Sequence, residues 1–208
     1  MNLIGFDFSI NKPAACIFTE KDYIFMSWPY SLSDKIIKIY KDADVQLIER
    51  IDDKDKGVNV TDKMRYEVLN SQYLSELICD SIKPYLEEDT MIGFEGLSYG
   101  SSGAHGIQLG AYKYMLMDRL NQYIPLDQMY TYSPITIKSI AGCAKKGMGK
   151  SEMIEAFIKE GPPCILRSSL ILTPLKFKKK GGKSWIDHLD DLIDSYFTIE
   201  TLRIKEDI

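Results

Sequence analysis

Near the C-terminus, the stretch Trp185-Ile186-Asp187-His188-Leu189-Asp190-Asp191-Leu192-Ile193-Asp194-Ser195-Tyr196-Phe197 carries four aspartates within eight positions. At about 100° per residue, Asp187, Asp190, Asp191 and Asp194 share one face of a helix, and Leu189, Leu192, Ile193 and Tyr196 share the other. Like charges three or four residues apart oppose a helix by a few tenths of a kcal/mol per pair, and a bound cation turns that repulsion into ligation. A solvated acidic face is the commoner fate of such a pattern, so the metal interpretation needs carboxylates from elsewhere in the chain. Asp7 is one candidate. It sits inside the apolar run Leu3-Ile4-Gly5-Phe6-Asp7-Phe8-Ser9, where an acid is costly unless paired, hydrogen-bonded or metal-bound; capping a turn through Ser9-Ile10-Asn11 is the structural alternative. Glu95 is the other. It ends the apolar run Met91-Ile92-Gly93-Phe94 and leads straight into a Gly/Ser-rich loop, which is where sites in α/β sheets tend to lie. A carboxylate facing water is the alternative there, but Ile92 and Phe94 make Glu95 part of the strand. Hard oxygen donors without histidine or thiolate select Mg²⁺ or Mn²⁺. Two such ions about 3.5–4 Å apart activate a water and stabilise the leaving oxygen in phosphodiester hydrolysis.

The lysines fit a polyanionic substrate. Leu175-Lys176-Phe177-Lys178-Lys179-Lys180-Gly181-Gly182-Lys183 places five lysines in eight positions directly before the acidic stretch. In most proteins that is a solvated loop; beside four carboxylates it outlines a groove for a polyanion with a metal centre at its floor. Gly142–Ser151 is not a P-loop, because Ala144 stands where the pattern needs glycine and no clear strand feeds it. Lys145, Lys146 and Lys150 are instead expected to face phosphate near a helix start.

Composition narrows the class. With 208 residues, 45% hydrophobic and 27% charged, the chain has enough apolar content for a buried core. No apolar run approaches the ~20 residues of a membrane span, and the N-terminus lacks a signal-peptide pattern. Cys16, Cys79, Cys143 and Cys164 are scattered, without a C-x-x-C, and only two histidines are present. That argues against a zinc site or a disulfide framework and fits a reducing cytoplasm. The net charge of −4 does not by itself mark a nucleic-acid binder; the local distribution matters more.

The elements that must position these groups can be read in order. Leu3–Ser9, Ala14–Thr19 and Tyr23–Trp28 predict three antiparallel strands, the first carrying the acid, with Glu20-Lys21-Asp22 as a polar turn. Ser33-Asp34 opens a short helix to Tyr40, Val45–Ile51 predicts an edge strand, and Asp52–Gly57 a charged loop. A long helix starts near Thr61-Asp62 and ends near Pro84. The Glu95 strand is followed by a helix over Gly106–Tyr123, a strand over Met129–Tyr132, a helix opening at Ser133-Pro134, and another over Ser151–Lys159. The acidic helix comes last.

In this order the chain resembles the RuvC-type Holliday junction resolvases of the ribonuclease H-like superfamily, most of all their phage and poxvirus relatives. Ile4-Gly5-Phe6-Asp7 matches the family's opening acid strand and Ile92-Gly93-Phe94-Glu95 its central glutamate. Ser133-Pro134-Ile135-Thr136-Ile137-Lys138 with Gly142 and Lys150 resembles the segment before the last helix, and Asp191-Leu192-Ile193-Asp194-Ser195 its closing Asp-x-x-Asp-Ala/Ser. The resemblance implies an α/β, ribonuclease H-like fold: a mixed five-stranded sheet, first three strands antiparallel, flanked by helices. It covers nearly the whole chain, as one domain over residues 1–208, with 31–60 longer than the family has and read as an insertion. It implies a homodimeric endonuclease resolving four-way and other branched DNA by symmetric hydrolysis, with two Mg²⁺ ions per site (Mn²⁺ substituting). Asp7, Glu95, Asp191 and Asp194 would be the ligands; Asp187 with Asp190 has the same spacing, but small Ser195 follows the later pair, as in the family. Lys138 and Lys150 would contact the DNA backbone, and Tyr99 would match an aromatic that stacks at the crossover. The alternatives are a related nuclease for flaps, packaging ends or RNA/DNA hybrids, and a non-catalytic nucleic-acid-binding protein on the same scaffold. An actin-like ATPase would need two such halves and more chain.

Overall fold

Leu3–Asp7 (β1), Ala14–Phe18 (β2) and Tyr23–Ser27 (β3) form the expected antiparallel meander, with Gly5 opposite Cys16 and Cys16 opposite Phe25. The computed structural model describes residues 1–50, 59–97, 103–145, 148–182 and 184–208, with the backbone alone at 104 and 105. Met91–Glu95 (β5) runs parallel to β1 on its other side, with Gly5 beside Gly93 and Phe6 beside Phe94. Met129–Tyr132 (β6) continues parallel to β5. The expected edge strand shortens to Val45–Leu47 (β4), parallel to β3. Among the described residues the mixed sheet therefore has six strands, in the order β4-β3-β2-β1-β5-β6, one more than the five expected. The extra strand comes from the connection after β3, where Val45 is buried and its neighbour Gln46 exposed, the period-2 alternation of an edge strand.

Helices cover both faces. On one side Val60–Ile82 (α2) and Ala104–Leu120 (α3) lie side by side and parallel, joined by Gln108 and Tyr112 donating to the Glu67 carboxylate and by Arg119 on Glu76. Their Leu74, Ile78, Ile82, Tyr112, Leu116 and Leu120 pack on Ile4, Phe6, Ile17, Ile92 and Phe94 of the sheet, and the Phe6 and Phe94 rings stack at 5.1 Å. The other face holds Asp34–Asp42 (α1), Pro134–Ile140 (α4), Lys150–Glu160 (α5), Ile165–Leu172 (α6) and Leu189–Glu206 (α7). Caps mark two of these starts: Ser133 accepts the Thr136 N–H with Pro134 next to it, and the Glu152 carboxylate accepts the Gly149 N–H. Helix α6 was not expected, since its cap is Cys164, whose sulfur accepts the Arg167 N–H at 3.4 Å, rather than a Ser, Thr, Asp or Asn. No helix of the described residues is long and apolar enough to cross a membrane.

The last helix departs from expectation at its start. Residues 185–188 are not helical. His188 takes a left-handed conformation with φ 71°, and Trp185 pairs with Lys178 across the lysine loop. Asp187 thus precedes α7 instead of lying on its acidic face. The body of α7 lies directly on the sheet. A β-carbon on Gly5 would sit 2.2 Å from the Ser195 carbonyl oxygen, and one on Gly93 3.1 Å from Thr198 Cγ2. The paired glycines are a floor on which the helix backbone rests, and small, fully buried Ser195 faces that floor. This contact sets the height of α7 above the two strand ends that carry Asp7 and Glu95.

Candidate metal centre

Asp7 and Glu95 each follow their floor glycine by two residues, so they leave the C-terminal ends of adjacent parallel strands on the side where α7 sits. Asp194 immediately precedes Ser195. Single carboxylate oxygens of Asp7, Glu95 and Asp194 all lie within 4.8 Å of one another. Asp191, one turn earlier and buried, lines the same pocket of about 300 Å³, together with Lys113, Lys138 and Lys150.

Crowding and burial resist ionisation here. Burial, then Glu95, Asp194 and Asp191, pushes the Asp7 carboxyl well above the usual carboxylate range. Asp194 is pushed up in the same way by burial and then Glu95. Burial, then the Asp190 charge, raises Asp191 to about 6, with Lys12 and Lys150 opposing. Glu95 is raised by burial, while Asp7, Lys138, Lys113 and Lys150 pull it down. Without a cation, the cluster is relieved by holding protons.

Among the described residues, two carboxylate oxygens, Asp191 Oδ2 and Asp194 Oδ1, are buried with no hydrogen-bond partner. Such orphans are rare and costly unless something else satisfies them. A divalent cation with hard-oxygen preference fits this donor set.

The other expected residues divide. The alternative pair stays out of the pocket lining: half-exposed Asp187 takes an ion pair from Lys179 at 2.7 Å, and Asp190 is bound by Lys150. Lys138 and Lys150 line the pocket. Lys145 and Lys180 are exposed, and the Lys178 ammonium stacks on Trp185, 3.3 Å from the ring centroid. Lys146 and Tyr99 lie outside the described residues.

Three nearby residues escaped the sequence reading. Lys12 Nζ lies 4.0 Å from Asp191 Oδ2. His188 Nδ1 lies 3.8 Å from the same oxygen, buried and without a hydrogen bond among the described residues, its pKa lowered to about 4 chiefly by burial. Lys113 is buried in α3, and burial lowers it to about 8 against the opposing pull of Glu95. It alone left a trace in the pattern, as a lysine four residues after Leu109 and three before Leu116 on an otherwise apolar stripe.

No family model and no curated protein matches the chain. Among solved structures it is similar to RuvC of Thermus thermophilus, with a TM-score of 0.54 at 11% identity over 99% of this chain and 97% of that one. It is likewise similar to T. thermophilus RuvC in complex with a Holliday junction substrate, at 0.52, 10% identity, and 99% and 96% coverage. The yeast mitochondrial Holliday junction resolvase Ydc2 gives 0.46 at 12% identity, over 96% of this chain and 76% of that one. Sheet order, flanking helices and the likeness to T. thermophilus RuvC over nearly the whole of both chains together give the chain the ribonuclease H-like fold in the form seen in that structure.

Proposed function

We propose that the chain is a Mg²⁺-dependent endodeoxyribonuclease that resolves four-way and other branched DNA junctions by symmetric phosphodiester hydrolysis. The supporting observation is the convergence of Asp7, Glu95 and Asp194 oxygens within 4.8 Å, on two strand ends and a helix distant in sequence. Asp7, Glu95, Asp191 and Asp194 would hold two Mg²⁺ ions, with Mn²⁺ as substitute. When bound, the ions supply activation of the attacking water and neutralise charge developing on the scissile phosphate. The chain's own residues bind and orient the substrate. Lys138 and Lys150 stand beside the carboxylates in the same pocket and are placed to meet phosphate oxygens, Lys150 exchanging Asp190 for the DNA. Lys145, Lys178, Lys179 and Lys180 extend the cationic surface along which backbone phosphates would run. Branched DNA is the substrate proposed, because the similar RuvC structure holds a Holliday junction.

Symmetric cleavage calls for two copies. Exposed Val60, Met64 and Val68 on α2, with Ile107 and Tyr114 on α3, offer an apolar surface that favours a homodimer.

The test is a panel of four-way junction, flap, linear duplex and RNA/DNA hybrid, each with Mg²⁺ or Mn²⁺. Junctions are expected to be cut in paired, symmetric positions, and Asp7→Asn to bind them without cutting. Preferential cutting of flaps or hybrids would shift the assignment to another substrate of the same chemistry. No cleavage of any substrate, together with no carboxylate-dependent Mn²⁺ binding, would leave a non-catalytic DNA-binding protein.

A further inference from the structure

Lys113 occupies a position where a hydrophobic residue would be expected. It lies on the sheet-facing side of α3 and is only 5% exposed. Burying an ammonium is costly, and a methionine of similar length would pack there without that cost. Its bonds are also unusual, going to a carbonyl and a hydroxyl rather than to a carboxylate. Nζ donates to the Glu95 carbonyl at 3.0 Å and to Thr131 Oγ1 at 3.4 Å. Those acceptors belong to the ends of β5 and β6.

The same two ends are already drawn close. The Gly96 N–H donates to the Tyr132 carbonyl at 2.7 Å, and a β-carbon on Gly96 would lie 2.9 Å from that oxygen. Lys113 clamps this junction from the helix side. The peptide it grips is that of Glu95, whose carboxylate meets those of Asp7 and Asp194. Ligating carboxylates need their orientation fixed by surrounding hydrogen bonds if they are to meet at one point.

We propose that Lys113 is a positioning residue of the metal centre, its ammonium tying together the ends of β5 and β6 so that the Glu95 carboxylate is aimed at Asp7 and Asp194. This role rests on the metal-dependent function proposed above. It makes no use of Lys113 as a substrate contact.

Calorimetric titration of the full chain with Mn²⁺ alone, without DNA, tests it. Lys113→Met keeps length and packing but removes the charge and both donors. It is expected to fold and to lose about 10- to 100-fold in Mn²⁺ affinity. Lys113→Arg, which retains charge and donors, is expected to recover part of that loss. If Lys113→Met lowers Tm yet binds Mn²⁺ as tightly as wild type, the residue is merely structural and the proposal is wrong. Tighter binding would overturn it too, showing only a cation repelled by a cation. Should Lys113→Met not fold, Thr131→Val removes one of the two acceptors, and it must weaken Mn²⁺ binding for the clamp to stand. Asp194→Asn separates the two levels. Wild-type Mn²⁺ affinity in that variant removes the metal centre and Lys113's role with it, whereas its loss alongside wild-type affinity in Lys113→Met removes only Lys113.

Discussion

Gly5→Ala is the sharpest perturbation of the architecture that brings the carboxylates together. The added β-carbon would lie 2.2 Å from the Ser195 carbonyl oxygen and 2.9 Å from both Ile199 N and Cγ1, where ordinary contact begins at 3.4 Å. Two of those atoms are helix backbone and cannot rotate away, so α7 must lift from β1 by about an ångström. Overpacking of this kind costs about 1–3 kcal/mol, and at ~2–4 °C per kcal/mol for a chain of this size it lowers Tm by roughly 2–12 °C. The functional consequence is sharper than the stability loss. Asp194 rides on the lifted helix, and metal sites tolerate ligand displacements of only about 0.2 Å. In the wild type, Mn²⁺ at 100 times its Kd should add about 2.7 kcal/mol of stability, read as a rise in Tm in a thermal-shift assay. Gly5→Ala is expected to be folded, to melt earlier, and to show almost none of that rise. Gly93→Ala should do less, because its nearest obstacle is the Thr198 methyl at 3.1 Å, a side-chain atom that can give. Gly110→Ala is the control: its β-carbon would meet Leu97 Cδ1 at an ordinary 3.5 Å, and alanine favours the helix by about 1 kcal/mol. A Gly5→Ala protein with wild-type Tm and a wild-type Mn²⁺ response would refute the glycine-floor account of the site.

Three further outcomes are expected. Asp191→Asn and Asp194→Asn should each weaken Mn²⁺ binding in calorimetry, whereas Asp190→Asn should retain it because Asp190 pairs with Lys150; the reverse order would restore the other aspartate register. Asp7 and Asp194 ionise at higher pH folded than unfolded. The folded state therefore holds their protons more tightly, and the stability this gives below the usual carboxylate pKa is lost as pH rises through the folded values. Asp191 behaves likewise up to about 6, while His188, lowered to about 4, acts oppositely only below its normal value near 6.5. Metal-free Tm should thus fall as pH rises from the usual carboxylate range to about 6, where the raised carboxylates outweigh the single imidazole, and saturating Mn²⁺ should flatten the profile; a metal-free Tm rising over that range would contradict it. Finally, replacing Lys178, Lys179 and Lys180 together by alanine should weaken junction binding at low salt and reduce the log–log salt slope by about 1 for each phosphate no longer neutralised. An unchanged slope would place the DNA elsewhere.

Residue order alone determined a good deal. Asp7 among Phe6 and Phe8, Glu95 after Ile92 and Phe94, and the closing acidic repeat each declare themselves locally, because a carboxylate in an apolar run has few uses. The three strands of the meander follow from equally local apolar runs and the polar turn Glu20-Lys21-Asp22; the parallel pairing of β1 with β5 does not, and comes from the fold. Tertiary structure decided which aspartates enter the pocket. The repeat Asp187-x-x-Asp190 and Asp191-x-x-Asp194 is ambiguous until His188 goes left-handed and Ser195 comes to rest over Gly5, facts set by packing between segments about 190 residues apart in sequence. The same holds for where β4 stops, at Leu47 rather than Ile51, for α6 with its cysteine cap, and for Lys113. Its bonds reach the ends of two strands that follow different helices, and only the folded chain brings them within reach of one ammonium.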